Sequence, residues 1–480
     1  MTAREVRENW IWFVIFGSLA VLLAWSRLAG LSMSFWHDEV YTVVHFAGSG
    51  PSRIFSADYI PNNHVLFSLL SWVTTRLLGP SEVAYRFWGV APAIAATGWL
   101  SWWALRRFGV LAGATVLLLM SVSPALFLVT REARGYGIAL LAMCGLVIQG
   151  DSALRNPEKG KVWPFIVFGT VGVLTLPVFV LPFVFCAIPL VAVRSLRRRI
   201  LIGITISGTL ALSWYSPMLS QIVENSSQEF GEPVLWHSFA SMSPSRLVFP
   251  IARLLLPGDI EVPPPPDPGD SLLFLIVVHA AFWSLIAIAF VRTWPSDRRP
   301  LLWLLVLPIV GTYGPLAAIG AWASFRHVSY LSVPWFALVA IGVGGLVDLV
   351  GKMRYPFLVG TAALGVWIVF SFYPVADTVI QTPLENFKEA GRQVNESGLR
   401  RVVSNSARPD GLRHYMDPRL ELLSAAELEG LFCGQESGYV FIDHLFKSDE
   451  VDTACLEAKG EQGIPINQRA RGRITLWLVE

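Results

Sequence analysis

Long apolar runs, separated by short polar, basic or proline-bearing connections, fill the first 375 or so positions of the chain. They fall at about 10–30, 84–105, 110–130, 134–150, 162–177, 178–193, 200–219, 271–291, 301–320, 328–349 and 356–375. Most approach the roughly 20 residues that carry a helix across about 30 Å of hydrocarbon. The pattern therefore predicts a polytopic α-helical membrane protein of about eleven transmembrane helices. The stretch 162–193 is read as two short spans, a hairpin broken by Pro177, Pro182 and Pro189. One apolar run is treated differently: NHVLFSLLSWVTTRLLG has helical spacing but is short and carries Arg76 in its last turn, which suits a helix lying in the interface. Beyond about position 376 the period changes. LRRVVSN, GYVFIDHLF and RGRITLWLV read as strands, while ENFKEAGRQVNE, SAAELEGLF and DEVDTACLEA read as helices. The expected organisation is a membrane domain over 1–375 and a small soluble α/β domain over 376–480, with no internal repeat.

Composition agrees with this division. Hydrophobic residues make up 54% of the 480 positions and charged residues 15%, against about 25% charged in soluble domains. The first apolar run is long and lacks a small-residue cleavage pattern, so it is expected to be a retained span. The net charge of +2 says little about partners, and no nucleic-acid partner is expected. Where the charges fall is more informative. Arg4, Arg7, Arg106, Arg107, Arg155, Lys159, Lys161, Arg194, Arg197, Arg198, Arg199, Arg292, Arg298, Arg299, Lys352 and Arg354 all lie on one side of the eleven-span arrangement. By the positive-inside rule that side is the cytoplasm, which puts the N-terminus inside and the tail outside. The loop 31–83, the loop 220–270 with its stiff PPPP run at 263–266, and the tail would then be extracytoplasmic. Of four cysteines, Cys144 and Cys186 fall in spans, where they suit apolar packing. Cys433 and Cys455 fall in the outer tail, where an oxidising compartment would let them pair as a disulfide.

Several ionisable groups gather at the outer ends of the spans. Asp38 and Glu39 follow the first span in SFWHDEVYT, and His64 opens the interfacial helix after Asn62 and Asn63. Arg86 opens the second span, Glu132 and Arg134 lie in TREARGYG, and Arg326 with His327 lie in SFRHVSY. Charges near the membrane are costly and usually face a cavity or one another. Arginine forks can hold a lipid-linked phosphate, and a carboxylate nearby can take the proton of an attacking acceptor. Substitution at a sugar's anomeric carbon with phosphate as leaving group uses both, the arginines offsetting charge on the departing phosphate. Each residue also has a plainer role open to it. Asp38 can be a solvated loop acid, Arg86 and Arg326 interfacial anchors, Arg134 a partner for Glu132, and His64 a helix start beside a capping Asn.

The order of these segments resembles that of the GT-C fold, polyprenyl-phosphate-sugar-dependent glycosyltransferases, whose members include protein O-mannosyltransferases and the aminoarabinose transferases that modify lipid A. WHDEVYT is similar to the family's acidic motif in the first outer loop, and IPNNHVLFSLLSWVTTRLLG to its His-Pro-Pro or Asn-Asn-His-Pro segment before an interfacial helix. SEVAYRFWGVAPAIAATGWLSWWALRRFG resembles the Arg-containing second span, LFLVTREARGYGIALL the Gln-Glu-Ala-Arg-x-Tyr motif, and SFRHVSYLSVPW the late Arg-Tyr segment. The likeness is strongest over 10–150. Three positions depart from the pattern: Val65 stands where the family has proline, Arg131 where Gln is common, and His327 where Tyr is usual.

The resemblance implies Asp38 as general base with Glu39 as its acidic partner, and Arg134 as a contact of the lipid phosphate. It implies that His64 lines the same cavity, with Asn63, Arg86, Glu132, Tyr136 and Arg326 as further donor-binding candidates. The implied reaction is inverting sugar transfer from a polyprenyl-phosphate donor to a lipid, glycan or protein acceptor at the outer face of a bacterial cytoplasmic membrane. Carboxylates are oxygen ligands, so Asp38 and Glu39 could hold a divalent ion, but too few acidic residues gather there to expect one firmly, and no cofactor is firmly expected. A transporter or lipid flippase would also have many spans, yet would tend to show repeated halves and charges at the midplane. A non-catalytic scaffold would leave the acid pair and the arginines without a role.

Overall fold

The computed structural model describes residues 3–55, 63–221, 268–294, 297–318, 325–350, 386–405, 409–424, 439–444, 463–467 and 474–479. The chain divides into two compact units. The first comprises Met1–Ala29, Phe55–Leu70 and Arg86–Ala376, and the second Gly30–Ile54, Ser71–Tyr85 and Asp377–Glu480. The loop that carries Asp38 is thus grouped with the tail.

The helices of the membrane-type region are α1 (Ala3–Leu28), α4 (Val65–Leu78), α5 (Glu82–Phe108), α6 (Val110–Val122), α7 (Pro124–Val129) and α8 (Tyr136–Arg155). They continue as α9 (Trp163–Thr175), α10 (Val180–Ala192), α11 (Arg194–Tyr215), α12 (Pro268–Thr293), α13 (Arg299–Ala318), α14 (Phe325–Val328) and α15 (Ser332–Val350). Among the described residues, three helical stretches are long and apolar enough to cross a membrane: Tyr136–Arg155, Arg194–Gln221 and Ser329–Leu349. Two of them, α8 and α15, are apolar on nearly all sides and are buried in the core of the first unit. On α11, Leu201, Ile202, Ile206, Leu210 and Leu212 instead face outward, as expected of a helix that meets lipid.

Proline chemistry sets the breaks. The expected span over 110–130 is two helices, because Pro124 has no N–H to donate and Ser123, extended at ψ 114°, caps the new helix by accepting from Leu126 N–H. The expected hairpin over 162–193 is present as α9 and α10, joined by a single 3₁₀ turn, Pro177–Phe179. Only Pro177 makes that break. Pro182 sits in the first turn of α10, where no amide bond is lost, and Pro189 is tolerated inside it. The run 64–78 is one helix, α4.

Basic residues that the charge pattern assigns to one side meet at helix ends within the first unit. Asp151, 1% exposed on α8, accepts from Trp103 Nε1 and Arg107 Nη2 of α5, each at 3.0 Å, and lies 3.3 Å from Arg155 Nε. Arg199 donates to the carbonyls of Gly160 and Pro157, and Arg292 to that of Gly345. At the other end of α1, the fully buried Arg27 donates to the Met120 carbonyl at 2.5 Å. Met120 lies in the last turn of α6, where carbonyls lack intrahelical partners and a cation is favoured.

In the second unit lie α2 (His37–Thr42), a π-helical turn Val43–Ala47, α3 (Pro51–Ile54), α16 (Phe387–Glu396) and α17 (Asp410–Tyr415). The tail adds β1 (Arg401–Ser404), β2 (Glu421–Ser424), β3 (Tyr439–His444), β4 (Ile464–Asn467) and β5 (Ile474–Val479), in the sheet order β2-β1-β3-β5-β4. The first three strands are parallel and β5 pairs antiparallel with β3 and β4. Val440, Phe441 and Ile442 are all buried, so β3 is covered on both faces. Helix α16 buries Phe387, Ala390 and Val394 on one face and is capped by Asn386, whose side chain accepts from Glu389 N–H. The three expected strands and the helix over 385–396 are present; β2, β4 and α17 were not anticipated. The expected span 356–375, the helices SAAELEGLF and DEVDTACLEA, most of 220–270 with its PPPP run, and Cys433 and Cys455 lie outside the described residues.

Candidate functional site

Two glycines bring the Arg131–Arg134 region against α5. A Cβ on Gly137 would stand 1.7 Å from the Gly89 carbonyl oxygen, and one on Gly89 would stand 2.6 Å from that of Glu132. No side chain fits between α5 and the start of α8, so the turn lies directly on the α5 backbone. Arg86, 5% exposed, is one turn from Gly89 on the same face of α5. It is buried in protein, which argues against a headgroup anchor there.

Within this first unit His64 joins the turn from a distant part of the chain. Its carbonyl accepts from Ser68 N–H, so His64 itself opens α4. Its neighbour Asn63, 1% exposed, accepts from Ser68 Oγ at 3.2 Å. Gly135 N–H donates to His64 Nδ1 at 2.8 Å, which leaves the proton of the neutral ring on Nε2. That Nε2 is buried and has no hydrogen-bond partner among the described residues. Burial, then Arg134 and His327, hold the imidazole well below its ordinary pKa. The ring stands edge-on to Tyr136 at 5.1 Å, and Tyr136 is 6.5 Å from His327. The Arg134 guanidinium, on a side chain 1% exposed, lies 5.2 Å from the Tyr136 ring centroid. Arg131 lies over Phe127 at 4.3 Å. His64, Arg134 and Tyr136 thus form one buried cluster with the partly exposed His327 at its edge and Glu132 in the same turn. Arg326 is on α14 beside His327; its side chain lies outside the described residues.

Asp38 and Glu39 belong to the second unit, on α2. Glu39 is 2% exposed and its Oε2 accepts from Trp36 N–H at 3.3 Å, closing the start of the helix. Asp38 lies 3.3 Å from His37 Nε2, and both side chains retain 14% exposure. The two acids are therefore unlike: one is sealed into a helix cap, the other keeps access. Among the described residues, no group of three or more His, Cys, Asp or Glu could hold a metal ion.

The sequence pointed to His64, Arg134 and Tyr136 separately. It did not point to the Gly89–Gly137 contact or to Gly135 as the donor to His64. A small residue every few positions beside a charged motif is a weak signal, readable only once the partner helix is known.

No family model matches the chain, and no curated protein matches it. Among solved structures, ArnT from Cupriavidus metallidurans in the apo state aligns over 98% of this chain and 98% of its own, at TM-score 0.55 and 12% identity. The same protein bound to undecaprenyl phosphate aligns over 98% of both chains at TM-score 0.52 and 12% identity. At that identity the likeness is one of fold. The chain has the GT-C membrane fold, with a small sheet in its C-terminal part, and three of its described helices are long and apolar enough to cross a membrane.

Proposed function

We propose that this protein transfers a sugar from a polyprenyl-phosphate donor to an acceptor at the outer face of a bacterial cytoplasmic membrane. The observation that carries this is the His64–Arg134 cluster on a GT-C fold, one of whose relatives in shape is ArnT bound to undecaprenyl phosphate. A neutral imidazole whose buried Nε2–H meets no partner among the described residues, beside a buried guanidinium, is a donor pair suited to phosphate oxygens. Neither donor changes charge on binding, so the site is preorganised for the negative charge that grows on the leaving group.

In this mechanism the acceptor O–H attacks the anomeric carbon, and Asp38 takes the proton. The bond from that carbon to the phosphate oxygen breaks on the opposite side, inverting the centre, and polyprenyl phosphate departs against Arg134 and His64. Glu39 supports Asp38 by fixing the start of α2, while Asn63, Arg86, Glu132, Tyr136 and Arg326 line or brace the donor side. The N-terminus is cytoplasmic, and the tail, 376–480, is an outer domain.

The test is sugar transfer by purified full-length protein from a panel of polyprenyl-phosphate sugars. Asp38→Asn should lower transfer at least about 100-fold, the usual contribution of a general base, with donor affinity retained. Arg134→Ala should weaken polyprenyl-phosphate binding by about 1.5–3 kcal/mol, the range for a hydrogen bond to a charged group. Wild-type transfer by the Asp38→Asn protein removes the base, and unchanged lipid affinity in Arg134→Ala removes the phosphate contact.

A further inference from the structure

The helix that carries Asp38 has six residues, too few to hold a position by its own hydrogen bonds. Its position has to come from what grips its ends. Before it, Phe35 N–H donates to the Tyr415 hydroxyl of α17 at 3.0 Å. The Phe35 ring, 1% exposed, packs among Tyr85 at 5.9 Å, His414 at 5.7 Å and Tyr415 at 6.4 Å. Ser34 Oγ accepts from Lys388 N–H at the start of α16, and Lys388 Nζ reaches Ser32 O at 3.2 Å and Glu82 Oε1 at 2.8 Å. After it comes the π-helical turn Val43–Ala47, a rare conformation that is frequent at functional sites. That turn carries His45, whose Nε2 lies 3.0 Å from Asp410 Oδ2, at the other end of α17. One tail helix thus holds the chain on both sides of Asp38.

We propose that the tail is a positioning device for the acidic helix, with Tyr415 and Asp410 as positioning residues that set where the Asp38 carboxylate stands. The inference depends on Asp38 being the base. A clasp of this kind explains why a membrane enzyme's first loop packs with a soluble domain more than 300 residues away in sequence. It also makes transfer sensitive to anything that engages the tail. Because the clasp acts on the acceptor side of the reaction, its loss should change turnover and leave the phosphate contacts alone.

The experiment uses full-length protein in lipid vesicles. Tyr415→Phe keeps the ring packing and loses only the hydroxyl that accepts from Phe35. Asp410→Ala removes the partner of His45, and Asp410→Asn restores a hydrogen-bonding group there. Amide hydrogen exchange over 36–47 should rise several-fold in Tyr415→Phe and Asp410→Ala. In the same two proteins kcat should fall by about 10-fold or more, in line with the cost of small misplacements of a catalytic group. Polyprenyl-phosphate affinity should be unchanged, and Asp410→Asn should recover most of the loss. In an Asp38→Asn background the two substitutions should lower transfer no further. Unchanged exchange in both variants overturns the proposal. So does a kcat loss that persists in the Asp38→Asn background, or wild-type kcat in both variants while Asp38→Asn is impaired. Wild-type transfer by Asp38→Asn itself is a different failure: it strikes the base, and the exchange data then report a clasp with no catalytic group to place.

Discussion

Gly135 offers the sharpest test of the donor-side cluster. Its φ of −75° and ψ of 6° suit any L-residue, so replacing it with alanine incurs no backbone strain and the cost is steric. The new Cβ would stand 2.4 Å from Thr175 Cγ2 and 3.1 Å from His64 Nδ1. Carbon contacts are comfortable at about 3.5–4 Å, so the threonine methyl has to yield by about 1 Å. Thr175 is not free to turn, because its Oγ1 donates to the Val171 carbonyl at 2.8 Å. Overpacking of this kind costs about 1–3 kcal/mol. If the His64 ring moves instead, the bond from Gly135 N–H is weakened, a further loss of about 1 kcal/mol. With about 1.4 kcal/mol per factor of ten, Gly135→Ala should weaken polyprenyl-phosphate binding about 10-fold and lower the midpoint of thermal unfolding. Thr175→Ser removes the offending methyl but keeps the hydroxyl, leaving a contact to His64 that a shift of tenths of an ångström relieves. The double variant Gly135→Ala/Thr175→Ser should therefore regain most of both losses, a coupling of about 1–2 kcal/mol between touching residues. Lipid binding by isothermal titration and unfolding of detergent-purified protein measure the two quantities. Wild-type affinity in Gly135→Ala, or no recovery on adding Thr175→Ser, would refute the steric account of how His64 is held.

Two further outcomes follow from buried charge. Folded His64 binds its proton below the unfolded value of 6.5, so on acidification the unfolded state protonates first. Its contribution to stability is present above about pH 6.5 and is lost below it, by up to about 1.4 kcal/mol per pH unit until the folded group titrates. His64→Gln should flatten the acid side of the stability curve, measured as unfolding midpoint between pH 5 and 7.5; an unchanged acid limb would contradict a neutral His64. Asp151→Asn should cost about 2–3 kcal/mol, less than a fully buried broken pair because Arg107 and Arg155 are 20% and 45% exposed. Transfer per folded molecule should stay at the wild-type rate, and an unfolding midpoint equal to wild type would show that the Trp103–Arg107–Asp151 network is not a brace.

Much of the helical scaffold was legible because hydrophobic transfer is a local property that accumulates residue by residue. The helices α1, α5, α8 to α13 and α15 stand where apolar runs predicted spans, and the break at Pro177 is local backbone chemistry. The break at Ser123–Pro124 was missed because its apolar flanks hide it, although the Ser-Pro pair that makes it is plain in the sequence. Strands β1, β3 and β5 were readable from their apolar, β-branched and aromatic runs, whereas β2 and β4 carry only a few such residues each.

The candidate residues were visible one at a time, but their arrangement was not. Nothing near His64 says that its Nδ1 takes the amide of Gly135, 71 positions away. Nothing near Phe35 says that its amide meets Tyr415, 380 positions away. Asp38 and Glu39 are adjacent in sequence, yet only the fold distinguishes a carboxylate that seals a helix start from one that keeps access to solvent. The sequence by itself determined which segments leave water and which residues carry charge at their ends, since both depend on side-chain type alone. Which charges meet, which imidazole nitrogen keeps its proton and what grips the acidic helix were decided by tertiary structure, because hydrogen bonds and close contacts depend on distances that only packing sets.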